Sequence, residues 1–238
     1  MIPRKFITLF GALLLLTVLS VPCGAQTVDD RGFWTAWLTQ GKISTDPCSQ
    51  CQGWKWWFDG HLRFFDDTNG FGQSIVRPGV GYAIAENMTL WAGYAWIHNS
   101  PAARPAFDEN RIWQQLTGSK QLGCLKFGAR SRLEQRWVEL GDDTGLRFRQ
   151  FFSLRRPLPN NPQLLLVGWD EMFFHLNDTD WGARGGFDQN RVFVGLGIKS
   201  NCNRKWRTEI GYLHQFINRP TAADRSNHIL AVNFFRAP

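Results

Sequence analysis

From residue 54 onward, apolar and polar side chains alternate with a period of two along most of the chain. The stretch Gly123–Trp137 shows it best. Arg130, Arg132, Glu134 and Arg136 take the even positions, and Leu125, Phe127, Ala129, Ser131, Leu133 and Trp137 take the odd ones, with Gln135 the exception. That period puts the charges on one face of a β-strand and the apolar set on the other; in a helix the four charges would scatter around the axis. The same reading predicts strands at 54–65, 71–83, 88–98, 108–118, 122–138, 145–156, 162–174, 187–199, 204–216 and 226–236. In the first, Trp54, Trp56, Phe58, Leu62 and Phe64 alternate with Lys55, Asp59, His61 and Arg63. Segment 162–174 is almost wholly apolar, so its phase is undefined and Glu171 is its main polar marker.

The polarity of the two faces decides the class. A soluble sandwich hides an apolar face and shows water a mixed one, whereas here one face is fatty and the other is arginine and glutamate. A membrane-spanning β-barrel needs that arrangement, apolar toward lipid and polar toward the lumen. Connection lengths agree, since the longer ones (99–107, 139–144, 175–186, 217–225) alternate with the shorter ones (84–87, 119–121, 157–161, 200–203). Long outer loops and short periplasmic turns produce this alternation; only the 66–70 connection is short where a long one is expected. The expected fold is therefore all-β: a transmembrane antiparallel up-and-down barrel of about ten strands over residues 54–238. Segment 33–39 also reads as a strand. Because bacterial single-chain barrels have even strand numbers, it is expected to stay in the periplasm or the lumen, as part of an N-terminal periplasmic segment 26–53, or to make the barrel twelve-stranded.

Residues 1–25 change the compartment. Arg4 and Lys5 precede an apolar run, Phe6–Val21, and Cys23-Gly24-Ala25 offers small residues before a cut ahead of Gln26. This is the pattern of a cleaved secretory signal. The run is short for a spanning helix, and no later run of 18 or more apolar residues occurs. Twelve Trp, 19 Phe and 23 Gly suit a barrel with aromatic girdles and glycine turns. The formal net charge of +7 falls by two when Arg4 and Lys5 leave. An export signal argues against nucleic acid as the reason for that basic balance. Trp54, Trp91, Trp96, Tyr82, Tyr94, Trp137 and Trp206, near strand ends, are expected at interface depth. The expected location is the bacterial outer membrane, with its lipid and, during insertion, the barrel-assembly machinery as partners.

Several motifs occur in order: ENRIWQQL (Glu109–Leu116), RSRLEQRW (Arg130–Trp137), RFRQ (Arg147–Gln150), Glu171 followed by Phe173, QNR (Gln189–Arg191) and EIGYLHQ (Glu209–Gln215). Together they resemble the domain-of-unknown-function family 2490 of bacterial outer-membrane barrels, over the chain from about residue 34 onward. The resemblance implies a signal peptide, a barrel and an outer-membrane location. It carries over no catalytic residue and no substrate.

The chemistry on offer is mainly a charge ladder. Strand phase turns Arg63, Arg77, Arg111, Arg130, Arg132, Arg136, Arg147, Arg149, Arg191 and Arg207 inward, with Asp59, Glu109, Glu134, Glu171 and Glu209. These groups either brace the barrel through carboxylate–guanidinium pairs or make a lumen that binds or passes small anions. The arginines outnumber the acids, and an arginine does not shed its proton, so a narrow, wet, anion-preferring interior is expected. Cys48, Cys51, Cys124 and Cys202 remain after signal removal. An oxidising compartment favours disulfides of open connectivity, although Cys48-Ser49-Gln50-Cys51 also has metal-ligand spacing. Asn177-Asp178-Thr179-Asp180 reads as a solvated turn before a cation site. A lipid hydrolase is the enzymatic alternative: His214 and His228 face outward on neighbouring strands, but Ser131 and Ser153 lie on distant ones. No G-x-S-x-G, P-loop or H-E-x-x-H motif is present, so no enzyme activity, metal or cofactor is expected.

Overall fold

The computed structural model describes residues 27–46, 50–68, 70–200 and 206–236. Eleven strands close into one barrel. They are β1 (Thr27–Lys42), β2 (Trp54–Phe65), β3 (Gly70–Ala85), β4 (Met88–Asn99), β5 (Phe107–Leu122), β6 (Leu125–Val138), β7 (Gly145–Leu158), β8 (Asn161–His175), β9 (Gly186–Lys199), β10 (Trp206–Ile217) and β11 (Asp224–Arg236). At 12 to 16 residues each, they exceed the 9–11 or so that cross a bilayer, so their ends stand clear of the apolar band. Residues 1–25, expected to form a signal, lie outside the described residues.

Strands β2 to β11 fall close to where the alternation puts them, except that β5 runs on through 119–121, expected as a turn, and the turn into β6 is Gly123 and Cys124. Segment 33–39 does not follow its expectation. It is neither periplasmic nor luminal but lies inside β1, a full member of the wall, and the count is eleven instead of ten or twelve. β1 pairs antiparallel with β2 and parallel with β11, from Thr27↔Asp224 to Thr39↔Arg236. An odd strand number forces this, because the first and last strands of an odd up-and-down ring run the same way. At the long-loop rim Arg225 reaches both Asp30 and Asp67, which ties this seam to the β2–β3 connection.

The two faces differ as the pattern requires. Val80, Tyr82, Leu90, Ile112, Val194, Leu196, Ile210 and Leu230 stand exposed on the outer wall. Side chains this apolar over so wide an area need lipid against them. Aromatic pairs gird the wall at the short-turn rim, where Trp54 meets Tyr82 (ring centroids 5.5 Å) and Trp37 meets Trp206 (5.7 Å). Trp91 is a correction: it points into the lumen, 3% exposed, and its indole N–H donates to Thr117 Oγ1 (2.9 Å).

The interior is not polar throughout, because a ring of this size is filled by side chains. One apolar cluster joins Trp57, Ile75, Trp91, Ala95, Ile97 and Trp113, and a second joins Trp34, Leu165, Val167, Phe193, Leu213, Ile229 and Ala231. The charged groups fill the space between them. Single cysteines report the two faces. With a lipid-phase quencher, probes at Leu133→Cys and Leu196→Cys are expected to be quenched and one at Gln115→Cys to be spared. The opposite result would invert the strand phase.

Candidate functional site

The charge ladder converges on Glu134 of β6. Arg147 Nη2 donates to its Oε2 (2.7 Å) and Arg149 Nη1 to its Oε1 (2.6 Å), with Arg111 and Arg132 at 3.6 and 3.7 Å. Pairing across β5, β6 and β7 sets Trp113 opposite Glu134 and Glu134 opposite Arg147. The side chains therefore meet on one level of the lumen. Glu109 accepts from Arg111 (2.7 Å) and Arg136 (2.5 Å), and Glu171 from Arg130 (2.5 Å) and Arg149 (2.7 Å). Glu209 accepts from Arg155 (3.1 Å) and Arg207 (2.8 Å), and Asp59 from Arg77 (2.8 Å) and the Trp57 indole (2.5 Å). Each inward acid thus serves two or more donors, which is how five acids hold so many guanidinium groups. Shared, charge-assisted bonds of this kind are the strong ones.

All ten arginines and five acids assigned inward lie on the lumen side. Several partners escaped the sequence reading. Arg155 follows the same period of two beyond Phe151 and Ser153, so continuing the alternation to the end of β7 would have found it. Asp188 and His175, 3.4 Å apart, sit at the register shift between β8 and β9, where alternation breaks.

The long-loop half of the lumen is packed: Trp113, Arg132 and Glu134 are 0, 1 and 0% exposed. The loop after β8 covers this end. Asp180 accepts backbone N–H bonds from Asp142 and Asp143, which hold its carboxyl below the usual range, and Arg136 stacks over Trp181 at 5.0 Å. Asp178 accepts from the Gly185 N–H and from Arg184, which lower its carboxyl likewise. These acids are thus occupied by protein donors, and among the described residues no cluster of three metal-ligating side chains occurs.

The short-turn half holds a chamber of about 460 Å³. Its cations are Lys55, Arg63, Arg77, Lys126, Arg130, Arg149, Arg155, Arg191, Arg207 and Arg236; its acids are Asp59, Glu86, Glu171 and Glu209. Ten against four leaves a clear positive excess. Lys55, Lys126, Arg155 and Arg207 stand toward the rim, whereas Arg63, Arg77 and Arg191 lie deeper. Trp34, Trp57, Trp91, Phe151 and Trp169 supply apolar walls between them.

The remaining candidates lie elsewhere. Cys51 and Cys124 are exposed in connections at the short-turn rim; Cys48 and Cys202 lie outside the described residues. Ser131 hydrogen-bonds Gln150 (2.7 Å) on the outer wall, and Ser153 is buried in the lumen. His214 instead meets Ser226 (Nε2 to Oγ 2.9 Å), the first residue of the expected strand 226–236, where pairing partners are not legible from the sequence. The ring beside His214 is that of His228 (centroids 5.6 Å), whose Nε2 lies 3.8 Å from Asp29 Oδ1.

Fold and interior together define a transmembrane β-barrel with a charged, side-chain-filled lumen. The chain belongs to the family described as protein of unknown function (DUF2490), whose model matches residues 31–227. An uncharacterised protein of Methylorubrum extorquens strain AM1 is 36% identical over 165 residues, 68% of this chain and 72% of that one. Two structures of OmpT, an outer-membrane protein of Vibrio cholerae, are similar at TM-scores of 0.41 and 0.40 with 13% and 12% identity. The alignments cover 76% and 82% of this chain and 62% and 70% of theirs. At that distance the functional reading rests on this chain's own residues.

Proposed function

We propose that the protein is an outer-membrane barrel that binds small organic anions in its short-turn chamber. One observation carries the reading: ten cationic and four acidic side chains line a space of about 460 Å³, a volume typical of small-molecule sites. Short turns face the periplasm in such barrels, so the chamber opens on that side and ends blindly at the Glu134 network. An unpaired charge kept from water costs several kcal/mol, so the excess is met by water and by anions. The apolar outer wall supports lipid as the surrounding medium, and the wide exposure of Val, Leu and Ile there would not survive in water.

The blind end separates this reading from a general diffusion pore. In planar bilayers the barrel is expected to show no porin-sized conductance. Any small current in a salt gradient should reverse at a potential of the sign set by anion preference. A large steady conductance, or clear cation preference, would overturn the proposal.

A further inference from the structure

We infer that the deep end of the chamber is a carboxylate site built by Arg63, Arg191 and Trp34, and that it takes a flat aromatic acid. This rests on the anion-binding reading above and narrows it. Among the described residues, Arg63 and Arg191 are the buried arginines with no carboxylate in ion-pair range; Arg77, Arg111, Arg132, Arg136, Arg147 and Arg149 each pair with one of the five acids. Arg63 Nη1 donates to the neutral Gln73 Oε1 (2.6 Å) and Arg191 Nη2 to the neutral Gln189 Oε1 (3.2 Å). Both guanidinium groups stand over the ring of Trp34, at 4.0 and 5.0 Å from its centroid.

Three donors around that ring have no acceptor. Arg63 Nε, Arg191 Nε and Trp34 Nε1 are all buried without a hydrogen-bond partner. Their residues are 9, 8 and 7% exposed, and all three line the chamber. Buried polar groups are ordinarily satisfied, and three orphan donors with no orphan acceptor among them call for a group that only accepts. A carboxylate does so, and its two oxygens suit a guanidinium fork. Two like charges against one indole also repel unless an anion lies between them. The body of the ligand follows from the walls. Trp57 packs on Trp91 (ring centroids 5.3 Å) and Phe151 on Trp169 (5.6 Å), and all four line the chamber below the site. Such walls favour an aromatic body over a hydrated inorganic ion.

The test is titration of the folded barrel in detergent micelles by calorimetry, with benzoate, acetate and the cation benzamidine as probes. Benzoate is expected to bind, acetate more weakly and benzamidine not at all. Arg63→Gln and Arg191→Gln should each weaken benzoate about tenfold or more, the worth of a charge-assisted hydrogen bond. Trp34→Phe keeps an aromatic ring at the position but loses the indole N–H together with its five-membered ring, and it changes no charge, so it remains informative if an arginine variant fails to fold; it should weaken benzoate too. Gln114→Ala, on the outer wall, should bind as the wild type. Benzoate binding unchanged by all three site variants would overturn this site and leave the anion-binding chamber standing. No binding of any anion by the wild type would mean that water alone satisfies the donors, and both readings would fall. Equal binding of benzoate and acetate would retract the aromatic class.

Discussion

Glu134→Gln is expected to destabilise the barrel by about 3–5 kcal/mol, the cost of removing one member of a buried ion network. Four arginines lie within 3.7 Å of this carboxylate, two of them at 2.6 and 2.7 Å. Glutamine keeps the shape and one acceptor but takes away the charge that lets those groups share a level of the lumen. Glu134 is 0% exposed, so water cannot replace it. Urea unfolding in lipid vesicles, read by the gel shift between folded and unfolded forms, measures the change. Glu209→Gln is the internal comparison, because its partners Arg155 and Arg207 border the solvated chamber, and it should lose less. A loss at Glu134 of about 1 kcal/mol or less, as for a surface pair, would show that the network is not what holds the interior together.

The second large effect concerns Trp113. Its indole is fully buried, donates to the Tyr94 carbonyl (3.1 Å) and lies across Gly79 and Gly93, which face each other on β3 and β4. A Cβ on Gly79 would come within 2.5 Å of the indole, and one on Gly93 would overlap both the indole and the Pro78 carbonyl. The glycines are the slot and the tryptophan is its filling, a pairing that restores packing where a strand lacks side chains. Trp113→Ala is expected to cost about 3–5 kcal/mol through the cavity it leaves, and Gly79→Ala about 1–3 kcal/mol through overpacking. Combined, they should cost clearly less than their sum, since neighbours that share one space couple. Strict additivity in the same unfolding assay would show that the two positions do not share it.

How far the sequence alone reached follows from the side chains. Strands β2, β6 and β10 are legible because charge marks one face and Trp, Leu or Ile the other. β1 is less so, since Trp34, Ala36 and Leu38 point inward while Phe33 and Trp37 point outward. With both faces apolar it carries no phase, and the even-number expectation then set it outside the wall. β8 is blurred for the same reason, with Leu165 and Val167 inside and Leu166 outside. That the ladder faces the lumen could be read from periodicity. Which arginine meets which glutamate could not, because partners such as Arg155 and Glu209 come from strands three apart. The chamber was equally hidden: its existence depends on Trp113 and the Glu134 network filling one half and leaving the other open.

The parallel seam between β1 and β11 bears on the order of events during folding. Every other neighbouring pair in the ring joins strands adjacent in sequence and can form as soon as both are present. The seam joins Thr27 to Asp224, with almost the whole chain between them. Closing so long a loop adds little to the equilibrium cost, which grows only with the logarithm of length. It weighs heavily on the rate, because distant pairings wait for the intervening chain to organise. The ring is therefore completed last, at the strand the chain begins with, and until then β1 and β11 are two open edges that any other strand could meet.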